Sequence, residues 1–453
     1  MWSSQRPMYR RDRQPSVVPP APAPPLGDLI ESITRDSLKS TGDASRAGIS
    51  DAKLVASYNW TSASSPEIII PGQPPRWTPP KTSKRLPWDS GDYYRDINAA
   101  SYPKHPLEPA IVSVMKMNPD PIHVNIVACG STIGNLLRFA RGVDLDHPFR
   151  ILVEAVGDTV HLTRRENSPK QLIPDVRGYG HTFPEAYTTW DPAVRRSTTH
   201  QRIMAYRFGG LDLMVRFEGD GFIRTSNPRR RQSNASNALA AGDALAQIQG
   251  LSINKPLPTS TSRQLEVSEG GEIISQESIF DLKTRSVRAR ERDTLGEQLP
   301  RLWISQVTQF LLAYHERGLF NQQDIEIKNV KDDIAQWEEA NQPSLKKLAA
   351  LLHLIIDRAR SAEDGKLELV WSDSDSLEIR KQLPSAGDVL SAPVRKEWEA
   401  WLSQEDEESD SETESTDEVR WDDYLAALSD SDGEASDYAA CDKECGYCGK
   451  CMY

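Results

Sequence analysis

Glu218-Gly219-Asp220 closes one strand-like run, Asp281-Leu282-Lys283-Thr284 closes the next, and Trp303-Ile304-Ser305-Gln306 opens an expected helix. That order reads as a two-metal phosphodiester-cleaving site. A phosphodiester is cut readily only when a cation stabilises the charge on the phosphate and generates hydroxide at neutral pH, and clustered carboxylates are what hold Mg²⁺ or Mn²⁺. Residues two apart on a strand share a face, so Glu218 pairs with Asp220, and Lys283 lies beside Asp281 in reach of the water or phosphate.

Working outward, Arg202 to Phe208 and Leu211 to Phe217 form a hairpin over Gly209-Gly210 that leaves Glu218 and Asp220 at a strand end. Phe149 to Val156 and Thr159 to Thr163 form another over Gly157-Asp158. Leu107 to Met117 has helical spacing and stops at Asn118-Pro119. His123 to Ala128 reads as a buried strand, Gly130 to Gly134 as a tight turn and Asn135 to Arg141 as a short helix. After Gly180, His181-Thr182-Phe183-Pro184 leads into a short helix carrying Glu185, a candidate third acid. Downstream, Glu272 to Lys283 is a strand pair or one long strand, and Leu302 to Tyr314 is a helix bearing Gln306. Ile325 to Val330 is a short strand, Val330 to Trp337 and Gln342 to Arg360 are helices, and Leu367 to Trp371 is a last strand. The mixture predicts an α/β (α+β) core, a mixed sheet flanked by helices.

The chain has 453 residues, 38% hydrophobic, with 31 prolines, and its mean hydropathy of −0.57 is too polar for packing throughout. Residues 1–50, rich in Pro and Arg, are expected to be disordered, and 51–371 to hold the domain, with a disordered insertion at 227–271. Residues 372–437 form an acidic, Ser-rich tail in which Ser409, Ser411, Ser429 and Ser431 suit an acid-directed kinase. The formal charge of −12 gathers between Glu405 and Asp437, so the acidity does not exclude a nucleic-acid partner for the rest. No run of 18 apolar residues and no apolar signal core is present, which argues against a membrane and for an intracellular protein, nuclear or cytoplasmic. Arg6, Arg10, Arg11 and Arg13 suit a mitochondrial presequence, but Pro15 to Pro25 breaks the amphipathic helix one needs.

Of five cysteines, Cys129 stands alone and reads as a small buried hydrophobe, in keeping with a reducing compartment. Cys441, Cys445, Cys448 and Cys451 occupy residues 438–453 with Cys-x3-Cys-x2-Cys-x2-Cys spacing, which can close round Zn²⁺ or an iron-sulfur cluster; the other reading is a flexible cysteine-rich tail. Gly130 to Asn135 lacks the Lys-Ser/Thr of a phosphate loop, and His181 and His200 read as turn and surface residues.

Taken in order, a Gly turn after a strand, a hairpin, Gly178-Tyr179 with Phe183 and Glu185, Glu218-x-Asp220, Asp281-x-Lys283-Thr284 and Trp303-x-x-Gln306 resemble the DXO-type decapping exonucleases, within the PD-(D/E)XK nuclease superfamily, over residues 107–330. The resemblance implies a nuclease fold and a nucleic-acid partner, RNA before DNA. It implies that Glu185, Glu218, Asp220 and Asp281 bind two Mg²⁺ or Mn²⁺ ions, that Lys283 positions the attacking water, and that Gln306 contacts substrate. Three places depart: Cys129-Gly130-Ser131 stands where the family has an Arg-Gly pair, Gly180 to Glu185 is one residue longer, and Asp281 replaces a Glu. The resemblance also reaches fungal proteins labelled geranylgeranyl pyrophosphate synthetases. That chemistry needs two DDxxD motifs, and Asp332-Asp333 and Asp422-Asp423 lack the later Asp. The competing reading is a catalytically silent scaffold that recruits protein partners through its acidic tail and cysteine cluster, with Asp281 and Lys283 a plain ion pair.

Overall fold

The computed structural model describes residues 21–39, 46–144, 147–174, 176–224, 265–372 and 375–404. The first half of the chain forms β1 (Leu29–Thr34), β2 (Ile49–Thr61), β3 (Glu67–Ile70), β4 (Arg76–Trp77), β5 (Lys84–Arg85), α1 (Ile97–Ser101), α2 (Glu108–Met117), β6 (Ile126–Cys129), α3 (Gly130–Arg141), β7 (Phe149–Val156) and β8 (Thr159–Arg164). Then come α4 (Thr182–Tyr187), β9 (Thr188–Thr189), β10 (Ser197–Phe208), β11 (Leu211–Glu218) and β12 (Gly221–Phe222). The rest forms β13 (Glu266–Glu269), β14 (Ile279–Ser286), α5 (Thr294–Ser305), β15 (Gln309–Glu316), β16 (Leu319–Asn329), α6 (Lys331–Ala340), α7 (Gln342–Ser361), β17 (Lys366–Trp371), β18 (Ser376–Lys381) and α8 (Ala392–Leu402).

The strands make an 11-stranded sheet, β1-β18-β17-β7-β8-β6-β11-β10-β2-β3-β13, and a seven-stranded sheet, β5-β16-β15-β14-β12-β4-β9. Both are mixed: β6 runs parallel to β8 and β11, and β14 runs parallel to β15. Side-chain alternation sorts the faces of the larger sheet. Leu211, Leu213 and Val215 join Leu136 of α3 and Leu348 of α7 in one core, while Met214 and Ile203 join Ile111 of α2 and Trp398 of α8 in another. A third core packs Phe183 and Tyr187 of α4 on Phe280, Leu282, Leu311 and Ala313 of the smaller sheet. The α/β class is as expected. No helix among the described residues is long and apolar enough to cross a membrane.

The apolar run after Trp303 is not helical. Helix α5 starts at Thr294 behind an Asp293 cap, carries Pro300 inside, and ends at Ser305, so Trp303 closes it; Gln306 is the left-handed C-cap at φ 53°. The following β15 is buried on both faces, with Phe310, Leu312 and Tyr314 in one core and Leu311 and Ala313 in another. Such a strand is a continuous apolar run in which helical spacing can always be found, and Pro300 masked the true helix before it. Gly130 to Gly134 likewise is not a turn but the first turns of α3, its two glycines facing Ile304 of α5.

The expected domain boundaries at 51 and 371 are too narrow. Residues 29–34 and 376–381 pair with each other, Ile33 opposite Leu377, and α8 buries Val394, Trp398 and Trp401. Strand β1 finds its partner only at the far end of the chain, and α8 packs on α2, separated from it by most of the chain, contacts that local patterning cannot supply. The expected insertion at 227–271 ends earlier, since Glu266–Glu269 pairs in parallel with β3. Glu272 to Lys283 is neither a pair nor one strand, because a short 3-10 turn at Gln276–Ser278 delays β14 to Ile279. The short strand expected at Ile325 to Val330 is the end of the longer β16.

Trp303 anchors α5 from behind. Its indole N–H donates to Glu338 Oε2 at 2.7 Å, and its ring meets Phe208 edge-on at 5.4 Å and Trp337 at 5.5 Å. Glu338 also accepts from Ile49 N at 3.0 Å, joining α5, α6 and β2. Trp303→Phe keeps much of the ring packing and removes that donor, so it is expected to cost about 1–3 kcal/mol. Urea unfolding reads this as a lower midpoint at unchanged slope; an unchanged midpoint refutes the anchor.

Candidate active site

The larger sheet ends at Glu218 on β11, and the chain enters the smaller sheet as β12 at Gly221. Glu218-Gly219-Asp220 is therefore the crossing between the sheets. Close approach makes it possible: a Cβ at Gly221 would stand 2.4 Å from the Phe280 ring, so only glycine lets β12 lie against β14. The main-chain N–H of Leu282 donates to Asp220 Oδ2 at 2.6 Å and draws this carboxylate onto β14.

On β14, Phe280 and Leu282 enter the third core, so Asp281 and Lys283 point to the opposite face. There Asp281 Oδ1 lies 3.1 Å from Lys283 Nζ, and Oδ2 lies 3.0 Å from the guanidinium of Arg301 on α5. Gln201, paired with Glu218 across β10 and β11, donates its side-chain amide to Glu218 Oε2 at 3.4 Å. Beside the cluster opens a cavity of about 150 Å³, walled by Gly130 and Ser131 of α3, Phe217 and Glu218 of β11, Lys283 of β14 and Arg301 of α5.

The buried charges are not equivalent. Burial, and then the charge of Asp220, push the Glu218 carboxyl up to about 7. Asp220 is also raised, by burial and by Asp281. For Asp281 burial works the same way, but Arg301 and Lys283 outweigh it and hold the group below its usual range. Lys283 is lowered by burial and by Arg301. The cluster thus holds one firmly ionised carboxylate and two that resist a second and third negative charge.

Glu218, Asp220, Asp281 and Lys283 come together; Glu185 and Gln306 do not join them. Helix α4 packs on the face of β14 turned away from Asp281, and Glu185 on it is exposed. The Gln306 side-chain amide donates to the Trp303 carbonyl and its own carbonyl accepts from Gln276 at 3.1 Å, so Gln306 finishes a helix and is absent from the cavity wall. Cys129 is buried as expected, its Sγ 2.8 Å from Thr132 Oγ1. His200 is buried rather than on the surface, 2.7 Å from Asn59 Oδ1, and His181 stacks on Tyr93 at 3.4 Å. Cys441, Cys445, Cys448, Cys451 and the acidic tail from residue 405 onward lie outside the described residues. Arg301 escaped the sequence reading because the expected helix began after it; extending that helix back through Pro300 puts Arg301 on the same helix as Trp303.

A hard divalent cation takes ionised carboxylate oxygens, and its charge offsets the repulsion that keeps Glu218 and Asp220 from ionising beside Asp281, so the three fit such an ion in kind. As they stand, no three His, Cys, Asp or Glu among the described residues are close enough to hold one. The two-ion set that included Glu185 is not assembled.

Two mixed sheets flanked by helices make this fold similar to that of solved Rai1 structures. Rai1 of Scheffersomyces stipitis, solved with (3′-NADP)⁺ and a calcium ion, matches with TM-score 0.52 at 10% identity, covering 83% of this chain and 100% of that one. Rai1 of Candida albicans, solved with pU5-Mn²⁺, matches with TM-score 0.50 at 10% identity, covering 82% and 99%. The chain itself belongs to the family defined by a domain of unknown function, DUF8563, whose family model matches residues 28–398. That match begins just before β1 and ends within α8. No curated protein matches the chain.

Proposed function

We propose that this chain is an RNA-processing hydrolase of the nuclease type, acting on phosphodiester or 5′-end linkages with a divalent cation. The observation that carries the reading is the meeting of Glu218, Asp220, Asp281 and Lys283 beside one cavity, at the crossing of two sheets in a decapping-exonuclease fold. The Candida albicans Rai1 complex with pU5-Mn²⁺ supports both the RNA and the cation. Glu218, Asp220 and Asp281 would hold the ion, and bound Mg²⁺ or Mn²⁺ supplies charge at the phosphate and a water more easily deprotonated. Lys283, fixed by Asp281, lines the cavity with a cationic donor for a phosphate oxygen or the incoming water. A second reading, an RNA-binding protein that does not cleave, is favoured by the pairing of Arg301 with Asp281 and by the outlying Glu185.

The test is degradation of labelled RNA with a triphosphate, monophosphate or capped 5′ end, and of DNA, in Mg²⁺ or Mn²⁺. Divalent-dependent loss of one RNA class is the expected result. Binding to RNA without cleavage of any substrate establishes the second reading in its place.

A further inference from the structure

We infer that Arg301 is a resident counter-ion that competes with the divalent cation for Asp281, and that when the cation arrives the guanidinium turns into the cavity to take a substrate phosphate. This rests on the reading of Glu218, Asp220 and Asp281 as the cation's ligands. Lys283 lies 3.1 Å from one oxygen of Asp281 and Arg301 3.0 Å from the other, so an ion that takes this carboxylate meets a cation already beside each oxygen. The two cations differ in freedom. The Lys283 side chain is 7% exposed on a strand inside the smaller sheet, whereas that of Arg301 is 34% exposed on a helix that walls the cavity. Arg301 is the one with room to leave.

Charge sets the direction. With all three carboxylates ionised the cluster carries one negative charge more than Lys283 and Arg301 balance, and a divalent ion turns that excess into a net positive charge that repels the guanidinium. The cavity offers it a destination. Arg138 and Arg141 on the far wall are engaged, Arg138 donating to Asn135 Oδ1 at 2.9 Å and Arg141 lying 5.6 Å over the Trp337 ring. A planar guanidinium turned inward from α5 presents the paired donors that suit a phosphate. Arg301 thereby acts as a positioning residue for Asp281 before the cation binds, and as a phosphate ligand after it.

The experiment measures Mn²⁺ binding to the full chain without RNA, by the electron paramagnetic resonance signal of free Mn²⁺, for wild type, Arg301→Gln and Arg301→Lys. Removing the competitor is expected to tighten Mn²⁺ binding on the order of tenfold in Arg301→Gln, because the binding-competent fraction is no longer taxed. Arg301→Lys, which keeps the charge, is expected to stay near wild type. On the wild-type protein, modification of Arg301 by phenylglyoxal, followed by mass spectrometry, is expected to rise when Mn²⁺ is added. This arm needs no variant to fold. Mn²⁺ affinity that is equal or weaker in Arg301→Gln, or phenylglyoxal labelling blind to Mn²⁺, overturns the competition. A protein that binds no Mn²⁺ in any form overturns the cation reading with it. If Mn²⁺ affinity responds to Arg301 while no RNA is cleaved, hydrolysis falls and the competition stands.

Discussion

The double variant Asp281→Ala with Lys283→Ala is expected to lose Mn²⁺-dependent cleavage of 5′-labelled RNA by about three orders of magnitude, while its circular dichroism stays that of wild type. Lys283 is the cation of β14 that pairs directly with the candidate ion ligand Asp281, and Asp281 is the carboxylate of the cluster held most firmly ionised. Removing them together removes the chemistry at its centre. The pair is changed together for a physical reason. Taking Asp281 alone strands a buried ammonium, and taking Lys283 alone alters the balance between Asp281 and Arg301, so either single change mixes folding cost with catalytic loss. In the double variant Arg301 loses its contact with Asp281, but its side chain is partly exposed, so the loss costs less than stranding a fully buried charge. Rates within tenfold of wild type, with the fold intact, would remove these two residues from the reaction and leave the ion pair a packing feature.

What could be read in the sequence followed the range of the interactions involved. Asp281 and Lys283 were legible because they stand two apart on β14, where local alternation sets the direction of the side chain, and Glu218 and Asp220 because they close the run that ends β11. Bringing the two pairs together needed only that the strands be neighbours, and the Leu282 N–H to Asp220 bond makes them so. Glu185 was illegible for the opposite reason: its helix could pack on either face of β14, and Phe183 and Tyr187 placed it on the far one. Gln306 and Arg301 were misjudged together, because a strand buried on both faces carries no alternation to betray it. Strand 29–34 is an edge strand whose pairing lies with 376–381 at the far end of the chain, out of reach of local patterning. Local chemistry was therefore visible, and the sides on which helices lie were not.

Glu218→Gln is expected to make the cation-free protein more stable than wild type at pH 8 by on the order of 3 kcal/mol, and to leave it about equal at pH 5. The Glu218 carboxyl is pushed from its ordinary 4.5 to about 7, first by burial and then by the charge of Asp220. A group whose folded value lies above its unfolded value binds its proton more tightly in the native state. The stability it lends is whole below about pH 4.5 and is lost as the pH rises through 7, since the native state must then bury an anion or keep a proton the unfolded chain has released. Glutamine keeps the shape and the contact with Gln201 and carries no charge at any pH, so its curve lacks this fall. Asp220, raised in the same sense, remains in the variant and leaves a smaller slope of the same sign. Urea unfolding in EDTA at intervals from pH 5 to 8 separates the cases. Curves that run parallel across the range would mean that Glu218 does not carry its proton into neutral solution, and that its negative charge is already matched within the cluster. A gap that opens with pH would mean the folded chain pays for a buried anion there, which is the unbalanced charge a divalent cation relieves.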